Sequence, residues 1–89
     1  MNLLHIVNKS PFDRDSLELA IAYALDGSSV LMIEDGVYGA MQNTTASSMV
    51  ADSSVPVYVL GEDLKARGIS EDKVIEGVNV IDYIGFVKL

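Results

Sequence analysis

The chain has 89 residues, of which 49% are hydrophobic, and thirteen acidic residues against six basic ones give a formal net charge of −7. This charge argues against direct binding of nucleic acid, because the chain would repel the phosphate backbone. There is no cysteine, which excludes disulfides, zinc–thiolate sites and thiol nucleophiles.

The apolar fraction is high for such a short chain, and the mean hydropathy is +0.30. A domain of this size buries only a little over ~60% of its unfolded surface, so we expect surplus apolar side chains to form an interface in an oligomer. No apolar run approaches the ~18 residues of a membrane span. The first six residues lack the basic region and cleavage site of a signal peptide. These features predict one cytoplasmic domain over residues 1–89, with no membrane association.

The first half of the chain alternates between short apolar runs and helical patterns. Residues 3–7 predict a buried strand, and the acidic residues around Asp13 begin a pattern of apolar residues at helical spacing that ends near residue 26. Residues 30–33 predict a second strand, and a helical stretch follows over 37–41. Residues 42–54 are poor in helix formers, so we expect this middle segment to be irregular, mobile or ordered by a partner.

The second half continues the alternation. Residues 55–60 predict a third strand, 61–67 a short helix, and 78–81 a fourth strand, after which Asp82 is placed to cap a final turn. The pattern predicts an α/β fold: a three-layer domain whose mostly parallel sheet of four or five strands has helices on both faces. The residues expected to be most buried are Leu4, Ile6, Leu31, Ile33, Val57, Val59 and Val80.

The single histidine, His5, lies inside the first apolar run. We expect it to occupy a core or edge position, with its imidazole hydrogen-bonded to a backbone group. A role as general base or ligand is less favoured, because a single imidazole without a partner residue contributes little to catalysis or binding. A catalytic triad of His5 with Ser10 or Ser16 is disfavoured, since neither serine lies in a nucleophile-elbow motif.

Two acidic pairs offer oxygen ligands of the kind that hard metal ions prefer. Asp13 and Asp15 fit the start of a helix better, and Glu34 with Asp35 fits the end of a strand. We therefore predict no metal, no cofactor and no catalytic residue in this chain. Functional sites of open α/β sheets gather at the carboxyl ends of strands. That edge is predicted to be acidic and to suit docking, and it carries Glu34, Asp35, Tyr38, Glu62 and Asp63.

Four segments form a recognisable set. They read HIVNKSPF at 5–12, EDGVYGA at 34–40, YVLGEDLKARG at 58–68 and IDYIGFV at 81–87. In this order and spacing they resemble the DsrH/TusB family, the smallest subunits of the DsrE-DsrF-DsrH and TusB-TusC-TusD complexes. The resemblance implies a DsrE/DsrF/DsrH-like fold and assembly with two related subunits into a dimer of heterotrimers. Such complexes pass persulfide sulfur onward, either to the 2-thiolation of the tRNA wobble uridine or within sulfur oxidation.

Some members of this family carry a cysteine in the first helix, and Ala20 stands at or near that position here. Alanine cannot hold a persulfide, so the resemblance predicts a non-catalytic, cysteine-less subunit of a sulfurtransferase complex that serves tRNA thiolation. The alternatives are a subunit for dissimilatory sulfur oxidation, a homo-oligomeric module that binds a small ligand or regulates, and an enzyme that acts through carboxylates at the strand ends. The predicted interface with DsrE/DsrF-like (TusC/TusD-like) subunits comprises Asp35, Gly36, Val37, Tyr38, Asp63, Leu64, Arg67 and Gly68.

Overall fold

The computed structural model describes residues 4–10, 17, 20, 21, 28–44 and 47–88. Its four strands form a parallel sheet in the order β1-β2-β3-β4. The strands are β1 (Leu4–Val7), β2 (Ser29–Met32), β3 (Val57–Leu60) and β4 (Asn79–Ile81). The predicted α/β fold with a parallel sheet is confirmed.

Helices connect the strands. A 3-10 helix spans Glu34–Ala40 and α1 spans Ser47–Ala51, both between β2 and β3. Helix α2 (Gly61–Ala66) and a 3-10 turn at Glu71–Lys73 precede β4, and α3 (Tyr83–Val87) follows it. Residues 17, 20 and 21 are helical, in agreement with the helix predicted between β1 and β2. The rest of that predicted helix, including Asp13 and Asp15, lies outside the described residues. In the described part of the chain, no helix is long and apolar enough to cross a membrane.

The largest cluster of buried side chains lies on one face of the sheet, while Leu31 and Leu60 are buried on the other. Alternate strand residues point to the first face and are buried there: Val7, Val30, Met32, Val57 and Val59. The connecting segments pack against these side chains through Leu17, Val37, Val50 and Leu64. Because β2, β3 and β4 lie side by side in the same direction, right-handed crossovers place the connections from β2 to β3 and from β3 to β4 on the same side of the sheet, where Val37, Val50 and Leu64 pack.

Helix α2 ends in a Schellman motif. The backbone N–H of Gly68 donates to the carbonyl of Lys65 at 3.0 Å, and that of Ile69 donates to the carbonyl of Leu64 at 3.0 Å. Gly68 has a φ of 69°, a conformation that glycine adopts without the strain a Cβ brings. Ile69 and Leu64 are both buried in the core, so the motif also anchors the end of the helix.

The middle segment differs from the irregular conformation predicted for residues 42–54, because Ser47–Ala51 forms helix α1. Val50 is only 3% exposed, so packing against the core overrides the weak helix propensity of the segment. The preceding turn is also anchored, since the side-chain amide of Gln42 donates to the carbonyl of Val74 at 2.7 Å.

The burial predicted for the strand residues holds in part. Leu31, Val57 and Val59 are buried, and Leu4, Ile33 and Val80 are partly buried. The prediction was wrong for Ile6, which is 50% exposed. Ile6 points away from the core and lies on the outer strand β1, which pairs with β2.

Candidate functional site

The predicted docking surface forms where β2 and β3 end side by side. The two strands are neighbours in the sheet, so the segments that follow them, the 3-10 helix and α2, are brought into contact. Arg67 donates from Nε to Oδ1 of Asp35 at 3.1 Å, and this ion pair joins residues that are 32 positions apart. The Arg67 side chain is 22% exposed and that of Asp35 is 62% exposed. The pair therefore links the two segments and remains open to solvent.

A second link holds the start of the 3-10 helix. Oδ2 of Asp63 accepts a hydrogen bond from the backbone N–H of Glu34 at 2.6 Å. Glu34 has a φ of 49°, which costs a residue with a Cβ about 1–2 kcal/mol. The charge-assisted hydrogen bond from Asp63 offsets this strain. Asp63 of α2 thus holds the backbone at the start of the 3-10 helix.

Gly36 has a steric role at this edge. A Cβ built on it would lie 2.0 Å from the carbonyl oxygen of Val7 and 2.8 Å from its carbonyl carbon. The same carbonyl accepts a hydrogen bond from the backbone N–H of Ile33 at 2.9 Å. The glycine lets the 3-10 helix approach the end of β1 at van der Waals distance.

The structure divides the eight predicted interface residues into two groups. Gly36, Val37 and Leu64 are buried, so a partner cannot contact their side chains unless the fold changes, and their family-like character reflects packing. The other five are at least partly accessible; they are Asp35, Tyr38, Asp63, Arg67 and Gly68. We call these five residues the latch surface, after the ion pair at its centre.

Outside the latch surface, His5 is only partly exposed, and its Nε2 is buried without a hydrogen-bond partner among the described residues. The hydroxyl of Ser28 is also buried and unpaired. Ser10 is buried, whereas Ser16 lies outside the described residues. Ala20 is helical and packs against the core.

Sequence reasoning missed a groove beside the latch surface. It has a volume of about 900 Å³ and lies between α2, α3 and the end of β4. Glu62 lines this groove, and its Oε2 accepts a hydrogen bond from the backbone N–H of Tyr83 at 3.1 Å. Asp82 caps α3 as predicted, since its Oδ1 accepts from the backbone N–H of Gly85 at 2.7 Å. The Asp82 cap has a local sequence signal, but contacts between Glu62 and Tyr83 depend on the order of the strands.

Among residues 4–10, 17, 20, 21, 28–44 and 47–88, no group of three or more His, Cys, Asp or Glu side chains could hold a metal ion. The latch surface itself contains two carboxylates, one guanidinium and one phenol. Its chemistry is that of polar recognition, in which Arg and Tyr are the residue types that most often anchor interfaces.

Comparison with known proteins identifies the family. Residues 9–89 match the family described as DsrH-like proteins. The chain is 34% identical over 87 residues to Protein TusB of Photorhabdus laumondii, and 36% identical over 88 residues to Protein TusB of Buchnera aphidicola. Each alignment covers 98% of this chain and 90% of the relative.

Solved structures agree with the fold. Protein Tm0979 from Thermotoga maritima superposes with a TM-score of 0.76 at 26% identity, over 99% of this chain and 88% of that one. The ychN protein from Escherichia coli gives a TM-score of 0.81 at 22% identity, over 99% and 90% of the two chains, and shows the fold alone. On the match over residues 9–89 and the identity to TusB proteins, this chain belongs to the DsrH-like family.

Proposed function

We propose that this chain is a cysteine-less subunit of a cytoplasmic sulfur-relay complex that serves 2-thiolation of the tRNA wobble uridine. The observation that carries the proposal is the family match over residues 9–89, together with 31–36% identity to proteins named TusB. The partners are DsrE/DsrF-like subunits, as in the DsrE-DsrF-DsrH and TusB-TusC-TusD complexes.

The chain acts by contact and carries no sulfur itself. A persulfide requires a thiolate, and the sequence contains no cysteine. At the position of the family cysteine, Ala20 packs against the core with a methyl group that has no donor or acceptor. The sulfur therefore stays on a cysteine of a partner, and this subunit shapes the surface on which that partner docks.

The latch surface is the proposed docking site. Its ion pair holds Asp35 and Arg67 in place before a partner arrives, so less side-chain entropy is lost on binding. Each charged group keeps unused hydrogen-bonding capacity, because Asp35 is 62% exposed and Arg67 is 22% exposed. Tyr38 packs partly against the core and adds an aromatic contact of limited mobility.

The first experiment measures sulfur loading. The isolated chain is incubated with a persulfide donor, and bound sulfane sulfur is measured by mass spectrometry. We expect no mass increase for this chain and loading of a cysteine-bearing DsrE-like partner in the same reaction. Stable sulfane sulfur on this chain would contradict a role by contact alone.

The second experiment tests the complex and its purpose. The chain is co-expressed with DsrE-like and DsrF-like subunits, and 2-thiouridine in tRNA is measured in cells that lack the endogenous small subunit. We expect co-purification and restored thiolation. A chain that joins the partners but restores no thiolation would exclude the tRNA pathway, while a chain that does not join them would exclude the relay role.

A third experiment assigns the docking site. The double variant Tyr38→Ala/Arg67→Ala should lose most of its binding to the partners, and Asp35→Lys should do the same without removing core packing. Lys73→Ala removes one positive charge outside the latch surface and should bind normally. Circular dichroism verifies that each variant is folded. Unchanged binding by both the double variant and Asp35→Lys would show that the partners dock elsewhere.

A further inference from the structure

The groove between α2, α3 and the end of β4 has an apolar part. Leu64 and Ile69, which are buried, line it together with Val80 of β4, which is partly buried. The volume of about 900 Å³ lies within the ~300–1,000 Å³ that is usual for binding sites. The groove is therefore large enough to receive several side chains of a binding partner.

The charged residues around the groove are mainly acidic. Glu62, Glu71 and Asp82 line it and are exposed, and the single cation among the lining residues is Lys65. Three carboxylates and one ammonium group give a net charge of −2, from three negative charges and one positive. Within the described part of the chain, none of these carboxylates forms an ion pair. The groove therefore suits a positively charged ligand, and the net charge of −7 on the whole chain attracts such a ligand at longer range.

The edge of the sheet beside the groove is open to another strand. Among the described strands, β4 pairs with β3 and has no neighbour on its other side. Val80 and Ile81 of this strand both line the groove. An edge strand presents unpaired backbone N–H and C=O groups, with which an extended chain can pair. The three residues of β4 include neither a charge nor a proline, two of the features with which proteins protect such an edge.

We propose that the groove binds an extended, positively charged segment of a partner protein, which adds to the sheet beside β4. Side chains alternate along a strand, so those that share the side of Val80 enter the apolar part of the groove. Lys or Arg side chains of the segment pair with Glu62, Glu71 and Asp82. In strand addition, main-chain hydrogen bonds supply affinity and the side-chain contacts supply specificity. The proposal does not rest on the sulfur-relay function, and none of the lining residues belongs to the latch surface.

The combination of features favours a peptide segment over other charged ligands. A polyamine carries positive charge, but it has no carbonyl oxygen to accept hydrogen bonds from the backbone N–H groups of an edge strand. It also has no branched apolar side chain to fill the space beside Leu64 and Ile69. An acidic peptide or a nucleic acid would be repelled by the excess of carboxylates.

Peptide binding tests the proposal. Fluorescence anisotropy measures the binding of a labelled synthetic peptide, in which lysine and valine alternate over six residues, to the purified full chain. We expect saturable binding that weakens as ionic strength rises, because salt screens the ion pairs. A peptide with glutamate in place of lysine should not bind. N-methylation of the peptide backbone keeps the charge and removes hydrogen-bond donors, and it should weaken binding at least about tenfold. Spermine should displace the peptide only at a large excess of positive charge.

A matched pair of variants locates the site. Glu71→Lys reverses a charge in the groove and should weaken peptide binding about tenfold, because an ion pair is replaced by a repulsion. Glu76→Lys makes the same change of net charge at a position outside the groove and should bind like the wild type. Both residues are exposed, so the circular dichroism spectra should not change.

Several outcomes would overturn the proposal. They are equal affinity of the two variants, equal binding of the N-methylated or the glutamate peptide, and displacement by spermine at an equal concentration of charge. Failure of the sulfur-relay function is distinguishable from these outcomes. A chain that binds the lysine peptide in the groove but joins no DsrE-like partner retains the groove and loses the relay role. A chain that joins such partners but binds no peptide does the reverse.

Discussion

Replacing Gly36 by alanine should strongly destabilise the protein, although the change adds one methyl group. That methyl would lie 2.0 Å from the carbonyl oxygen of Val7 and 3.3 Å from the backbone nitrogen of Asn8. Carbon and oxygen atoms that are not bonded need about 3.2–3.4 Å, so the 3-10 helix or the end of β1 must move by more than 1 Å. The obstacle is the backbone of the Val7–Asn8 peptide, so no change of side-chain rotamer relieves the clash.

This movement would weaken or break two backbone hydrogen bonds. The Val7 carbonyl accepts the 2.9 Å hydrogen bond from Ile33, and Gly36 donates a 2.8 Å hydrogen bond to the Ile33 carbonyl. Overpacking of a rigid site costs about 1–3 kcal/mol, and each hydrogen bond lost adds about 1 kcal/mol. We expect the free energy of unfolding to fall by about 3–4 kcal/mol. That is a large part of the ~4–13 kcal/mol expected for a chain of this length.

Urea denaturation followed by circular dichroism measures this loss. Gly61→Ala is the matched control, because its Cβ would lie 3.3 Å from a methyl group of Val80 and 3.4 Å from the carbonyl oxygen of Ile81. Both distances allow adjustment of a few tenths of an ångström, so the control should change stability by less than about 1 kcal/mol. If Gly36→Ala unfolds within 1 kcal/mol of the wild type, the close approach of the 3-10 helix to β1 is incorrect.

Three further changes test local features. Asp82→Ala removes the N-cap of α3 and should lower the free energy of unfolding by about 1 kcal/mol, measured by urea denaturation, with Asp82→Asn as the conservative control. Arg67→Ala breaks the solvent-accessible pair with Asp35 and should cost at most about 1 kcal/mol in the same assay; a larger loss would give Arg67 a mainly structural role. A hydrogen bond from the Ser70 side chain lowers the pKa of Asp72 below its ordinary value, so its stabilising contribution is present above that value and lost as pH falls through the folded pKa. An NMR titration should show the Asp72 pKa rising in Ser70→Ala, and an unchanged value would exclude this cause.

Most of the fold could be predicted from local pattern. Short apolar runs separated by helical spacing predicted four parallel strands, and each observed strand lies within one or two residues of its predicted range. The cap at Asp82 and the end of α2 at Gly68 also have local signals, because a carboxylate before a helix and a glycine after one satisfy backbone groups nearby. The exposure of Ile6 had no such signal, since its run reads as apolar as those of the central strands.

In the candidate site, too, some features could be predicted from the sequence and others depend on tertiary contacts between side chains. Residue type and chain order determined that acidic groups, a tyrosine and an arginine gather at the carboxyl edge, because parallel strands all end there. Tertiary structure alone decided that Arg67 pairs with Asp35, that Asp63 holds Glu34, and that Val37 belongs to the core. Those contacts join residues about 30 positions apart, and their distances depend on which strands are neighbours and on the side to which each connection crosses. Local periodicity indicates the secondary structure of one segment and which of its sides is buried. It does not indicate which other segment packs against that side.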